Sequence, residues 1–237
     1  MERICDLQIN GLTLVQDDEL YCFTSDSVLL ADFVRAKTGE TVCDFGTGAG
    51  IIAVLLAGKR PGIRVTACEI QPALCALARR NAERNGLAER VEVREEDLRR
   101  LRFSLPKPAD AVVCNPPYFR RGSSFLNENE SKARARHEID VTLPELCESA
   151  SKTLKEGGRF FVSYPADRFC ELIAELCAVG LEPKRVRGVQ TRADAAPHLF
   201  LVESQKGGSR GVQFLPPLIL DGEEIEEIYA RARKEDE

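Results

Sequence analysis

The chain has 237 residues, 43% of them hydrophobic, with 33 lysines and arginines against 38 aspartates and glutamates and a formal charge of -5. That is the profile of an ordinary globular protein, and its acidic balance argues against indiscriminate coating of nucleic acid while leaving room for a local basic face. No run reaches the roughly 18 apolar residues of a membrane span, and the N-terminal Met-Glu-Arg-Ile-Cys-Asp lacks a charged-then-apolar leader pattern, so a cytoplasmic protein with no membrane partner is expected.

An N-terminal extension over residues 1–40 carries a helix expected near Ser25–Lys37. Beyond it, short apolar runs at Thr41–Asp44, Arg64–Cys68, Val91–Val93, Ala111–Cys114 and Arg159–Tyr164 alternate with helical stretches near 49–58, 72–85, 143–156 and 166–178. Strands that are apolar almost throughout predict a mostly parallel sheet covered by helices on both faces. Pro72 suits a first helical turn, while Asn85-Gly86 and Gly157-Gly158 read as left-handed helix stops. After Gly180, the extended runs Leu181–Val189 and His198–Glu203 read as an antiparallel hairpin closing one edge, and a charged helix follows near Glu223–Lys234. The expected architecture is one α/β domain over 1–237. Residues 119–140, long, polar and aperiodic, are expected to form a substrate loop.

The nine cysteines contain no C-x-x-C pair. They read as small buried hydrophobes rather than as metal ligands or a dithiol, and no metal is expected.

The first strand of the alternating pattern ends in Asp44-Phe45-Gly46-Thr47-Gly48-Ala49-Gly50 and runs directly into a helix. Gly46, Gly48 and Gly50 permit positive dihedrals and close backbone approach, and the helix N-terminus offers free N–H groups. An acid at Asp44 repels a pyrophosphate but suits the positively charged methionine end of a sulfonium, which points to S-adenosylmethionine over a dinucleotide. Glu69 closes the second strand about twenty residues on, where a carboxylate accepts ribose hydroxyls. Asp97, with Leu98 beside it as a packing surface, can accept from an adenine amine; a cap in the acidic cluster Glu95-Glu96-Asp97 is the competing reading.

The fourth strand delivers Asn115-Pro116-Pro117-Tyr118-Phe119 at the sheet edge where open α/β folds bind ligands. Asn115 and the Pro116 carbonyl can each accept one hydrogen of a conjugated amine, pyramidalising the nitrogen, and Tyr118 offers a stacking face. A merely rigid turn is the alternative. Two stretches are basic: Arg120, Arg121, Lys132, Arg134 and Arg136 against Glu128 and Glu130, and then Lys184, Arg185, Arg187 and Arg192 with no acid among residues 184–192. His137 lies among the first set and either contacts the acceptor or is solvated; His198 reads as structural.

With both motifs in hand, the chain resembles the class I, Rossmann-like methyltransferases carrying an N-P-P-Y motif, whose acceptors include adenine N6, guanine N2 and glutamine N5. Within them it most resembles the bacterial tRNA (adenine-37-N6)-methyltransferases acting on a valine tRNA. Phe23-Thr24-Ser25-Asp26-Ser27-Val28-Leu29-Leu30-Ala31, Ala135-Arg136-His137-Glu138 and Pro216-Pro217-Leu218 carry that narrower likeness. The resemblance implies a seven-stranded sheet, S-adenosylmethionine converted to S-adenosylhomocysteine and a tRNA partner; a monomer is expected, the sequence itself leaving the oligomeric state open. It implies a cofactor site that also includes Phe23, Thr24 and Asp26, although Asp26 can equally cap its helix. Pro117, Phe119, Arg120, Arg121, Lys132, Arg134, Arg136 and His137 are the expected substrate-binding residues. Glutamine N5 methylation of a release factor and guanine N2 methylation remain the alternatives; the first family carries a helical substrate domain where only about forty residues precede the first strand here.

Overall fold

A computed structural model describes residues 1–20, 22–116 and 141–230. It opens on an antiparallel hairpin of β1 (Glu2–Asp6) and β2 (Thr13–Asp17), separate from the main sheet. There follow α1 (Ser25–Phe33), β3 (Thr41–Phe45), α2 (Ile51–Lys59), β4 (Arg64–Glu69), α3 (Pro72–Arg84), β5 (Val91–Glu95), α4 (Leu101–Ser104) and β6 (Ala109–Cys114). Beyond residue 140 come α5 (Leu143–Thr153), β7 (Leu154–Pro165), a 3-10 turn at Ala166–Arg168, α6 (Phe169–Ala178), β8 (Leu181–Gln190) and β9 (Leu199–Lys206). Two short strands, β10 (Gln213–Phe214) and β11 (Leu218–Ile219), precede α7 (Glu223–Ala230).

The sheet runs β8-β9-β7-β6-β3-β4-β5, parallel except for β9, which is antiparallel to both neighbours. The expected seven-stranded path is therefore present, and the two-residue strands β10 and β11, both parallel to β8, extend the sheet to nine. The expected C-terminal hairpin forms, with β9 between β7 and β8 and the short strands β10 and β11 on the outer side of β8.

Alternate residues of each strand feed two cores. Val42, Val65, Ala111, Val113 and Phe161 pack beneath α1, α2 and part of α3, whereas Cys43, Phe45, Val112, Phe160 and Val162 pack against α5 and α6. Helix α2 is buried from Ile51 through Ala57 and has no polar stripe, the mark of a helix enclosed on all sides. Five cysteines are buried as expected (43, 68, 75, 114 and 147), but Cys170 and Cys177 are exposed; all nine are free thiols.

Two helix boundaries differ from expectation. Helix α1 stops at Phe33 rather than Lys37, and α5 stops at Thr153, so the glycine pair at 157–158 does not terminate it. Gly157, at φ 73°, instead forms a bulge at the start of β7, where the register against β6 shifts between Ala109 and Ala111. Gly86, at φ 66°, does follow the end of α3 as expected.

The N-terminal hairpin is tied down by two asparagines one turn apart, Asn81 on α3 and Asn85 at its C-cap. Asn81 exchanges hydrogen bonds with both backbone groups of Val15 and also donates to the Ala49 carbonyl, and Asn85 does the same for Thr13. Completely buried, the Asn81 amide thus joins the hairpin, α3 and the glycine turn.

Candidate cofactor and acceptor site

β3 is the switch point of the sheet: β4 lies on one side and β6 on the other, and ligands of open α/β sheets bind at the carboxyl ends of such strands. The register pairs Phe45 with Cys114, so the glycine turn after β3 and Asn115 after β6 emerge side by side. A cavity lined by Phe23, Ser27, Gly46, Thr47, Gly48, Ala49, Ile51, Ile52 and Asn115 joins the two.

The turn requires its glycines. Gly46, Gly48 and Gly50 adopt φ of 67°, 57° and 90°, and a side chain on Gly50 would press within 3.3 Å of Ala78 on α3. At Gly46 an added Cβ would meet nothing within 4 Å, which leaves that backbone open to a ligand. The N–H groups of Gly46 and Thr47 both donate to the Cys68 carbonyl, fixing the turn to the end of β4.

Asp44 is buried at the end of β3. Its Oδ2 accepts from the Thr47 hydroxyl at 2.5 Å, while Oδ1 has no hydrogen-bond partner among the described residues. Burial pushes its carboxyl up to about 7; the Thr47 hydroxyl and the Ala53 N–H oppose that rise and the nearby Glu69 charge adds to it. An orphaned buried carboxylate oxygen fits a cationic hydrogen-bond donor, such as the ammonium of a methionine moiety.

Glu69, also buried, accepts from the Gly48 N–H through Oε2 and from the N–H groups of Ile70 and Gln71 through Oε1. An ionised carboxylate has about four acceptor positions, so capacity remains for a hydroxyl after these three bonds.

Asp97 is committed elsewhere. Its two oxygens hold the Arg99 guanidinium, Oδ1 also accepts from the Arg99 N–H, and this pairing holds the carboxyl below the usual aspartate range. Arg99 bridges onward to Glu145 at 3.2 Å. The turn-cap reading of Asp97 thus describes its geometry, and Leu98 packs partly buried against the core facing α5 and α6.

Phe23 lines the cavity, but Thr24 is exposed and Asp26 half-buried in the first turn of α1. Thr24, not Asp26, occupies the N-cap position. Burial raises the Asp26 carboxyl, against the influence of His198 and Thr24. His198 itself is a backbone link between strands, donating to Val189 and accepting from Ala166.

Asn115 is gripped at both ends. Its Nδ2 donates to Ser27 Oγ on α1 at 2.8 Å, and its Oδ1 accepts from Ser163 Oγ on β7 at 2.6 Å. Neither serine stands out in the sequence as a site residue, since the contacts span 88 and 48 residues. Pro116 follows Asn115 half-buried. Pro117, Tyr118, Phe119, Arg120, Arg121, Lys132, Arg134, Arg136 and His137 lie outside the described residues.

The second basic stretch is largely neutralised. Arg185 pairs with Glu203, Arg187 with Glu224 and Arg192 with Asp194, while Lys184 donates to the Ser209 carbonyl. Counting charge along residues 184–192 hides this, because the acids arrive from other elements. A cleft of about 450 Å³ at the C-terminal end of α1 is lined by Arg35, Arg60, Arg185 and Arg187 with Asp32 and Glu224; Arg187 pairs with Glu224 across it and Arg185 with Glu203.

The methyltransferase small domain family matches residues 22–171. A tRNA1(Val) (adenine(37)-N6)-methyltransferase of Bacteroides thetaiotaomicron is 28% identical over 179 residues, 75% of this chain and 74% of the relative. One of the same name from Vibrio cholerae is 29% identical over 180 residues, 76% and 73% of the respective chains. Among solved structures, one from Agrobacterium tumefaciens, described as a predicted O-methyltransferase, superposes with a TM-score of 0.71 at 21% identity and covers 87% of this chain and 96% of its own. The M. jannaschii tRNA m1G37 methyltransferase superposes at 0.62 with 16% identity, covering 88% and 57%. Strand order, glycine turn and family match together make this chain a member of the methyltransferase small domain family, an S-adenosylmethionine-dependent methyltransferase.

Proposed function

We propose that the protein transfers a methyl group to the N6 amine of an adenine in tRNA, at position 37 beside the anticodon. The observation that carries this reading is the Asn115 amide, fixed by two buried hydroxyls one strand away from the glycine turn. The relatives' names support the choice of adenine and of tRNA.

When bound, S-adenosylmethionine supplies an electrophilic methyl carbon on a positively charged sulfur. Asp44 Oδ1 would hold its ammonium and Glu69 a ribose hydroxyl, beside the open backbone at Gly46 with Gly48 and Gly50. Phe23, Thr24 and Asp26 would lie near the cofactor, Phe23 from the wall of the cavity. Asp97 would take the adenine amine only by giving up part of its clasp on Arg99, with Leu98 as the packing surface.

On the acceptor side, Asn115 Oδ1 and the Pro116 carbonyl each accept one amino hydrogen, which draws the nitrogen lone pair out of conjugation and aims it toward the cofactor side. Tyr118 stacks the base, and Pro117 and Phe119 border it. Arg120, Arg121, Lys132, Arg134, Arg136 and His137 take phosphates and the flanking nucleotides. An unstacked anticodon-loop adenine enters such a site at low cost. No strong base is needed, because the leaving group is positively charged and the product proton departs afterwards. The protein acts as a cytoplasmic monomer.

Incubation with S-adenosylmethionine and unmodified tRNA, followed by nucleoside mass spectrometry, tests the proposal. N6-methyladenosine is the expected product. N2-methylguanosine, or methylation confined to a glutamine of an added release factor, would overturn it.

A further inference from the structure

We infer that Ser27 and Ser163 are positioning residues that fix the amide plane of Asn115, and so set where the acceptor amine must sit; this rests on the acceptor role of Asn115 proposed above. A terminal amide torsion is broad and poorly held by its own rotamer preferences. Here it is held from opposite ends by two elements: Ser163 Oγ donates to Oδ1 at 2.6 Å from β7, and Ser27 Oγ accepts from Nδ2 at 2.8 Å from α1. The β6–β7 register, which pairs Cys114 with Val162, places Ser163 directly beside Asn115.

Packing gives no reason for a serine at 163. Phe160, Phe161 and Val162 before it are buried apolar residues and Ser163 is itself fully buried. A hydroxyl in such a place costs about 1–3 kcal/mol unless it is bonded. Ser27 is likewise buried, in the first turn of α1, and it also lines the cavity shared with the glycine turn. With the amide held at both ends, the plane in which Oδ1 accepts has one orientation. A misplacement on the order of 1 Å costs about a hundredfold in rate, so the loss of either anchor falls on turnover rather than on binding.

The test is steady-state methylation of tRNA by Ser27→Ala, Ser163→Ala and Ser163→Thr, with melting temperature and cofactor affinity measured alongside. Ser163→Ala is expected to lower kcat about tenfold or more, leaving the KM for tRNA and the Kd for S-adenosylhomocysteine within about twofold. Ser163→Thr keeps the hydroxyl and is expected to retain more kcat than Ser163→Ala, although it adds bulk to a buried site. A purely packing role predicts the reverse order, because alanine is then the milder change, and that order would overturn the inference. Wild-type kcat in both alanine variants, with Asn115→Ala inactive, would also overturn it while leaving the acceptor role standing. Wild-type turnover in Asn115→Ala would remove the acceptor role itself.

Discussion

Replacing Asp44 by asparagine separates the cost of this carboxylate to the fold from its use to the cofactor. Burial lifts its pKa from 3.8 to about 7. A carboxyl whose folded value lies above its unfolded value costs nothing below the unfolded pKa, and costs more as pH rises through the window between them. Over this window of about three units the penalty at pH 8 is about 4 kcal/mol. Asparagine removes the charge but puts an amide N–H₂ where Oδ1 lacks a partner, which costs about 1–3 kcal/mol. The net expectation is a gain of about 1–3 kcal/mol at pH 8, or a melting temperature higher by roughly 2–12 °C for a chain of this size, reversed to a loss by pH 4, where only the cost of the amide remains. Cofactor binding moves the other way: losing a hydrogen bond to a charged group costs about 1.5–3 kcal/mol, so the Kd for S-adenosylhomocysteine rises at least about tenfold. Wild-type affinity is expected to weaken as pH falls below about 7, approaching tenfold per unit, while the asparagine variant stays flat. Thermal melts and calorimetry across pH 5 to 8 read both arms. Wild-type affinity unmoved across that range, or undiminished binding by the variant at pH 8, would refute the assignment of Oδ1 to a cationic donor.

Glu69→Ala removes the acceptor of the Gly48, Ile70 and Gln71 N–H groups. Calorimetry and thermal melts are expected to show cofactor binding weaker by at least about 1.5 kcal/mol together with a lower melting temperature; a loss of affinity with no change in melting would mean that the turn does not depend on this carboxylate. Gly50→Ala places a β-carbon at φ 90° and 3.3 Å from Ala78, so denaturant unfolding is expected to show a loss of about 1–3 kcal/mol. Reversing Arg134 and Arg136 to glutamate is expected to raise the tRNA Kd and to flatten its salt dependence by about 0.7–0.9 in log–log slope per lost phosphate contact, with cofactor affinity and melting unchanged. Filter binding across salt concentrations checks this. Because Arg185, Arg187 and Arg192 are already paired with acids, little compensation is expected from the second basic stretch.

The glycine turn, Asp44, Glu69 and Asn115 were legible in the sequence because each sits at a fixed offset from a strand end, and strand ends are marked by local apolar runs. What could not be read depends on partners far along the chain. The β1–β2 hairpin is completed by Asn81 and Asn85, whose amides satisfy strand backbone from a helix about seventy residues away. Ser27 and Ser163 acquire meaning only when β6, β7 and α1 are brought together. Asp97 offered a helpful spacing, but Arg99, two residues on, claims both of its oxygens in a local clasp that competes with any ligand. The ion pairs of the basic run at 184–192 were hidden for a related reason, since their acids come from β9, α7 and the turn at Asp194. The glycine pair at 157–158 resembled a helix stop because a bulge and a Schellman end both demand positive φ, and local sequence does not distinguish them.

The most direct test of adenine N6 as the acceptor uses two valine-tRNA transcripts that differ only in carrying adenine or guanine at position 37. With the purified protein and labelled S-adenosylmethionine, near-stoichiometric methyl incorporation is expected into the adenine transcript, recovered as N6-methyladenosine, and background incorporation into the guanine one. Equal labelling of both transcripts, or labelling of neither under conditions where the protein binds S-adenosylhomocysteine, would contradict it.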